Sequence, residues 1–384
     1  MDLLTALSAL HDAPTLWCLS GPCSLVAWEV EAAGIDDLAA SPRARERGSA
    51  GAREPDGTAW HLDPFAPPTH LVQLDYEGRT DVVRIRTGLW WGRDGRMHTI
   101  GDARLPSPSP TEPVRLAGPL VPAWNGSVHA AKVAYLRERI AAGDCYQVNL
   151  TLPVRGELAS GDDLAVALAL LRASPASFAG LIRRPGRPTM VSHSPECFLA
   201  VADGTVMSCP IKGTRRAEDP DDLLAHPKDR AELAMIVDLM RNDLGRVAQP
   251  GTVQVTAPVR LLHLPYVRHL VADITAELRP GTTWKALLSA TFPAGSITGA
   301  PKAMAMQHIA AIEVGPRGAY CGSFGWISER GGQLAVAIRT LEVSGSIVTL
   351  HAGSGITADS DGAAEWDEVL AKAGAMARAL GGSL

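Results

Sequence analysis

No run of apolar residues in this chain approaches the ~18 needed to cross a membrane as a helix. The start, Met1-Asp2-Leu3-Leu4, lacks the basic stretch that opens a secretory signal. Neither a membrane span nor a signal peptide is therefore expected. The six cysteines (Cys18, Cys23, Cys145, Cys197, Cys209 and Cys321) form no CxxC pair. A structural zinc site is not expected for that reason, and reduced thiols in a cytoplasmic protein are. Neither sign of charge dominates: 36 Lys and Arg against 41 Asp and Glu give a net charge of −5. That balance gives no reason to expect a nucleic-acid or membrane-surface partner. There is no short internal repeat, no P-loop and no dinucleotide fingerprint, so a nucleotide is not indicated.

What is present is enough chain, 384 residues, for an enzyme with a sizeable core. Residues 41–57, SPRARERGSAGAREPDG, have almost nothing to bury and read as a mobile surface loop. Prolines punctuate 105–124 and suggest a connector, dividing a shorter region 1–124 from a main region 125–384. Beyond the connector the spacing predicts helices over 128–142, 162–173, 228–244 and from about Gly362 to Leu380. The clearest stripe is Leu233, Ile236, Val237, Met240 and Leu244. Strand-like runs cover 189–201, 204–211, 319–329, 333–343 and 346–353, several separated only by tight turns. Hairpins between helices point to an α+β protein with antiparallel sheets.

Several residues could carry chemistry. Asp229 and Glu232 share one helical face, as do Glu365 and Glu368. Four carboxylates on two faces could hold one hard divalent cation, most plausibly magnesium; equally, acids near helix starts answer the macrodipole. Gly353-Ser354-Gly355 follows a strand, and Gly295 to Lys302, GSITGAPK, opens a helix. Both could present backbone N–H groups to an anion, or be simple turns. Lys212 closes the segment SCPIK at a strand end, where lysines are usually solvated; it becomes a nucleophile only if its pKa is lowered. Glu196, in SPE, is unremarkable alone.

Taken together, eight segments in order resemble the chorismate-binding enzymes, a family that includes anthranilate synthase component I, aminodeoxychorismate synthase component I, and the isochorismate and salicylate synthases. They are CYQVNLT (145–151), SPECFL (194–199), PIKGTRR (210–216), AELAMIVDLMRNDLGRV (231–247), FPAGSITGAPKAMAM (292–306), RGAYCGSFGWI (317–327), AIRTLEV (337–343) and GSGITADSD…EWDE (353–368). The resemblance covers about residues 125–380 and implies the fold of anthranilate synthase component I, an antiparallel β-sheet sandwich core with surrounding helices.

It also implies roles. Glu232 and Glu368 match the principal Mg2+ ligands, and Asp229 and Glu365 supporting carboxylates. Arg339 and Tyr320 match positions that hold the enolpyruvyl carboxylate of chorismate, assisted by Gly353, Ser354 and Gly355. Thr298 lies in the segment that closes on the substrate, Thr214 and Gln147 are expected among the substrate-binding residues, and His269 matches a histidine near the departing C4 hydroxyl. Glu196 matches the general acid. Gln147 stands where isochorismate and salicylate synthases carry a lysine base, so water attack is disfavoured. Lys212 stands where anthranilate synthases typically have alanine; PIKGT resembles the aminodeoxychorismate synthases. That likeness implies C4 amination through covalent Lys212, with ammonia from a separate glutamine amidotransferase subunit. Anthranilate formation and a non-catalytic scaffold are the alternatives.

Overall fold

The computed structural model describes residues 3–20, 24–33, 68–91, 96–105, 107, 110–173, 176–216, 218–219, 222–263, 267–328 and 330–384. The stretch 41–57 lies outside them.

The periodic segments fold as helices Gly126–Ala141, Asp163–Ala173, Pro227–Gly245 and Gly362–Ala379. Their ends have local causes. The Asn125 side chain accepts the Val128 N–H, and Asp361 accepts those of Ala363 and Ala364. Proline occupies the first turn at 227, where its missing N–H costs nothing. Leu233, Ile236, Val237, Met240 and Leu244 are all buried, as their spacing predicts. Among the described residues no helix is long and apolar enough to cross a membrane.

The strands are antiparallel and join into one large sheet, giving the expected α+β class. Following hydrogen-bonded neighbours, the order begins Gln147–Ser160, Ile347–Ile356, Thr340–Ser344, Thr189–Ser194, Phe178–Arg183, Leu16–Ser20. It continues through Ser24–Ala33, Thr80–Trp91, His70–Leu74, Ser323–Ser328 and Gly331–Val336. Cys197–Ala202, Thr205–Cys209 and Val267–Glu277 complete it, and Val267–Glu277 also pairs with Ile211–Arg216 and Gln254–His263. Strands before residue 124 thus share the sheet with later ones, and the connector adds Arg115–Leu116 and Val121–Pro122 beside Gln147–Ser160.

Two of the expected strand runs are broken. Thr189–Ser194 and Cys197–Ala202 are separated by Pro195 and Glu196 and take different neighbours. Gly331–Val336 and Thr340–Ser344 are separated by Ala337, Ile338 and Arg339, with Arg339 at φ +49°. Proline has no N–H for the ladder, and a side chain at positive φ departs from the strand path. Because 189–194 pairs with 340–344 and 197–202 with 331–336, the breaks lie side by side. The His193 N–H donates to Arg339 O at 3.0 Å, and the Val336 N–H to Glu196 O at 3.1 Å.

Three cores result. One lies under the Pro227–Gly245 and Trp284–Thr291 helices, and a second under Asp163–Ala173 and Gly362–Ala379. The third, around Trp17, Phe324 and Trp326, contains no helix residue, so sheet faces pack on each other there.

One buried ion pair fixes the floor of the site described next. Arg317, 2% exposed, donates twice to Glu313, at 2.8 and 2.7 Å, and reaches Ile297 O at 2.9 Å and Asn149 O at 2.8 Å. Its guanidinium lies 4.4 Å from the Tyr76 ring centroid. Arg317→Met leaves Glu313 as an unpaired buried charge, so the unfolding free energy in urea is expected to fall by about 3–5 kcal/mol. An unchanged urea midpoint would remove the clamp from the account.

Candidate active site

A cavity of about 980 Å³ opens where the two strand breaks meet, between the Pro227–Gly245 and Gly362–Ala379 helices. It gathers Glu196, Lys212, Thr214, Asp229, Glu232, His269, Tyr320, Arg339, Gly353, Gly355, Glu365 and Glu368 from eight separate segments.

Glu196 comes from the first break and is 3% exposed. Burial pushes its carboxyl up to about 7, although the neighbouring Ser296 hydroxyl and Lys212 pull it down. Lys212 comes from Ile211–Arg216, inside the strand and not at its end. The strand bulges at Gly213, which has φ +63° and shifts the register against Val267–Glu277. A Cβ there would meet Asp229 at 3.0 Å, so glycine is required, and residues 212–215 all reach the cavity. This placement corrects the solvated reading of Lys212. Burial lowers its pKa, with Glu232 as the main opposing influence and Lys372 adding to the lowering. Its Nζ lies 3.5 Å from Ser296 O, and a Cβ on Gly355 would stand 3.5 Å from it.

The acidic pairs do share the cavity, and each also carries protein cations. Asp229 meets Arg215 at 3.2 Å and His226 at 2.8 Å. Glu365 accepts the Ser360 hydroxyl at 2.7 Å with Lys228 at 3.7 Å, and Glu368 meets Lys372 at 2.7 Å. Burial alone would raise the Glu368 carboxyl, but Lys372 holds it below the usual range. Glu232 has no ion pair within 4 Å among the described residues, and burial pushes its carboxyl up against the pull of Lys212 and Lys228. No group of three acidic, His or Cys side chains among the described residues could by itself hold a metal ion. An all-oxygen set split between two helices nevertheless suits a hard cation that keeps its waters and takes one or two carboxylates. Of the four carboxylates, Glu232 is the one with cations nearby, Lys212 and Lys228, but none in direct contact among the described residues.

The opposite wall is cationic and apolar. The Arg339 guanidinium has no hydrogen bond or ion pair among the described residues, and burial lowers its pKa. An uncompensated guanidinium facing a cavity is suited to an anion. Tyr320, 6% exposed, stacks on His351 with centroids 5.4 Å apart. His269 engages Thr214 Oγ1 at 2.9 Å through Nδ1, while its Nε2 has no partner among the described residues. Burial, then Arg339, lowers its pKa to about 4, leaving a neutral imidazole.

Gly353 and Gly355 line the cavity from within Ile347–Ile356, correcting the expectation that they follow a strand. Past Leu350 that strand has, among the described residues, a strand neighbour on one edge only, Gln147–Ser160. Three expected residues stand behind the lining. Gln147 packs against Gly355, Ser354 points to the other face, and Thr298 gives its hydroxyl to Ala294 O at 3.0 Å. Strand alternation and a helix's own carbonyls claim these side chains.

Sequence reasoning missed Ser296, Asn149, His193, His351 and Lys372, all at the cavity. Ser296 sits two residues before Thr298, and Lys372 lies one turn beyond Glu368; those spacings were the available signals.

The sequence matches the family described as chorismate binding enzyme over residues 76–378. The aminodeoxychorismate synthase component 1 of Klebsiella aerogenes is 40% identical over 275 residues, 68% of this chain and 60% of that protein. The anthranilate synthase component 1 of Aquifex aeolicus is 39% identical over 254 residues, 64% of this chain and 51% of its own. The matches thus span about half to six-tenths of these relatives' lengths. Among solved structures, MenF, the menaquinone-specific isochorismate synthase of Escherichia coli, has TM-score 0.81 at 21% identity. That overlay covers 99% of this chain and 92% of MenF, and the likeness is one of fold.

Proposed function

The chain belongs to the chorismate binding enzyme family, and from that premise we propose that it is the chorismate-aminating component of an aminodeoxychorismate synthase. It would join chorismate and ammonia to give 4-amino-4-deoxychorismate and water. The observation that carries this reading is the shared cavity of Lys212 and Glu196: burial favours the neutral amine of one and the protonated carboxyl of the other.

In the mechanism that follows, the Lys212 amine attacks C2 of chorismate. Both ring double bonds shift, C1=C2 to C1=C6 and C5=C6 to C4=C5, the C4–O bond breaks, and Glu196 gives its proton to that oxygen, which leaves as water. Ammonia then attacks C4, both double bonds return to C5=C6 and C1=C2, and the C2–N bond breaks to restore the lysine amine. The ammonium formed at C4 carries the proton that regenerates Glu196. Arg339, with Tyr320 beside it, supplies the charge for the enolpyruvyl carboxylate. His269, neutral, lines the leaving-oxygen side. Glu232 and Glu368, supported by Asp229 and Glu365, would hold Mg2+. A bound divalent cation contributes positive charge against the ring carboxylate.

Ammonia would come from a separate glutamine amidotransferase subunit, a reading supported by the component 1 designation of the Klebsiella relative. The product suits 4-aminobenzoate and folate synthesis, and the five unpaired cysteines described are consistent with a cytoplasmic setting.

The test is to incubate the purified chain with chorismate, magnesium and ammonium and to identify products by mass spectrometry. A C4-aminated product that keeps the enolpyruvyl group is expected, with turnover lost to a chelator and restored by magnesium. A second reading, C2 amination with loss of pyruvate, draws on the Aquifex relative. Anthranilate and pyruvate as products would establish it and remove the C4 reading.

A further inference from the structure

Ser296 has no role in the chemistry above, yet its surroundings are unusual. It is 9% exposed, it lines the cavity, and its hydroxyl, beside the Glu196 carboxyl, completes no hydrogen bond of good geometry among the described residues. Buried hydroxyls without a partner are rare and call for a reason. The residue also touches both reacting groups of the protein. Its carbonyl lies 3.5 Å from Lys212 Nζ, and its side chain adjoins the Glu196 carboxyl. The turn that carries it cannot drift. Arg317 holds Ile297 O at 2.9 Å, Thr298 bonds Ala294 O at 3.0 Å, and a Cβ on Gly295 would meet Leu239 at 2.6 Å.

We propose that Ser296 is a positioning residue that keeps the acid Glu196 and the nucleophile Lys212 in register, its hydroxyl held in reserve for the carboxylate that Glu196 becomes. Glu196 starts protonated and needs no donor. Once its proton leaves with the C4 oxygen, a negative charge remains in a site that 3% exposure leaves nearly dry. A hydroxyl already in place can then turn to donate to that charge, with no rearrangement of solvent. The carbonyl of the same residue meanwhile steadies the lysine amine, so one turn serves both partners.

The proposal rests on the acid role of Glu196, which C4 and C2 amination share. The experiment compares Ser296→Ala and Ser296→Thr with the unmodified chain, using chorismate, magnesium and ammonium. Ser296→Ala is expected to lower kcat about ten- to hundredfold, the range for one lost hydrogen bond to a charged group. KM for chorismate should change less than ~2-fold, because the interaction forms only as the proton leaves. Ser296→Thr keeps a hydroxyl and should regain most of the rate.

The pH profile of kcat/KM separates this role from a merely structural one. Glu196 must be protonated to act, so activity falls as pH rises through its pKa. Ser296 and Lys212 both favour its ionised form. Removing the hydroxyl raises that pKa and moves the alkaline limb to higher pH. An unchanged kcat and limb in Ser296→Ala would overturn the proposal. So would a kcat loss with an unmoved limb that threonine does not repair. Should the alanine variant fail to fold, Ser296→Cys, close in shape and a much weaker donor, makes the same comparison. Anthranilate from the unmodified chain would remove the C4 reading but leave this comparison intact, since both products require the C4 oxygen to depart.

Discussion

Lys212→Ala is expected to lower formation of the C4-aminated product by about 10³-fold or more, the scale on which loss of a covalent nucleophile acts. The argument is electrostatic and geometric together. Burial lowers the Lys212 pKa, which favours the free amine over the ammonium, and Gly355 leaves room for it beside Ser296. Alanine removes the group that blocks C2 and directs nitrogen to C4. The empty volume admits ammonia to C2 directly, so the residual product should shift toward C2 amination. Arginine is no substitute, because its guanidinium stays protonated and cannot attack. Product ratios by mass spectrometry check the outcome, as does a search for chorismate-derived mass on the Lys212 peptide after acid quench. Undiminished C4 product in the alanine variant would end the covalent account.

Glu196→Gln should cost about 10²–10⁴-fold in kcat, the usual share of a positioned general acid. Glutamine keeps the shape and cannot give a proton to the C4 oxygen. In the unmodified chain the carboxyl, pushed up to about 7 by burial, is mostly protonated below that pH and ionised above it. Activity should therefore decline as pH rises through about 7. In the glutamine variant that alkaline limb should vanish along with the rate. A full-rate glutamine variant, or one that keeps the limb, would assign proton donation elsewhere; His269 is the nearest alternative to test.

The sequence carried much of this, unevenly. The helices were legible because a single apolar stripe, such as Leu233 to Leu244, has one way to be buried. Strand runs were legible as hydrophobic alternation, but their breaks were not: alternation runs on through Pro195 and Arg339, and only pairing reveals that the chain changes neighbours. The acid pairs were visible as pairs on helices. That they face one cavity depends on how two helices with acid pairs 136 residues apart pack, which periodicity does not encode. Lys212 read as solvated because burial there is produced by the Gly213 bulge and by side chains from other segments. Without the resemblance, Gly353 to Gly355 looked like a turn, since glycine in a strand and glycine after one read alike.

The strand pairing sets a schedule for synthesis. Thr69 bonds to Ile327, 258 residues later, and the strand His70–Leu74 waits for Ser323–Ser328. At about 5–20 residues per second, a ribosome takes roughly 13–50 s to add that interval. Throughout it the early strands present unpaired edges to other nascent chains. Production of this protein should therefore be limited by what shields those edges, and slower translation would lengthen the exposure.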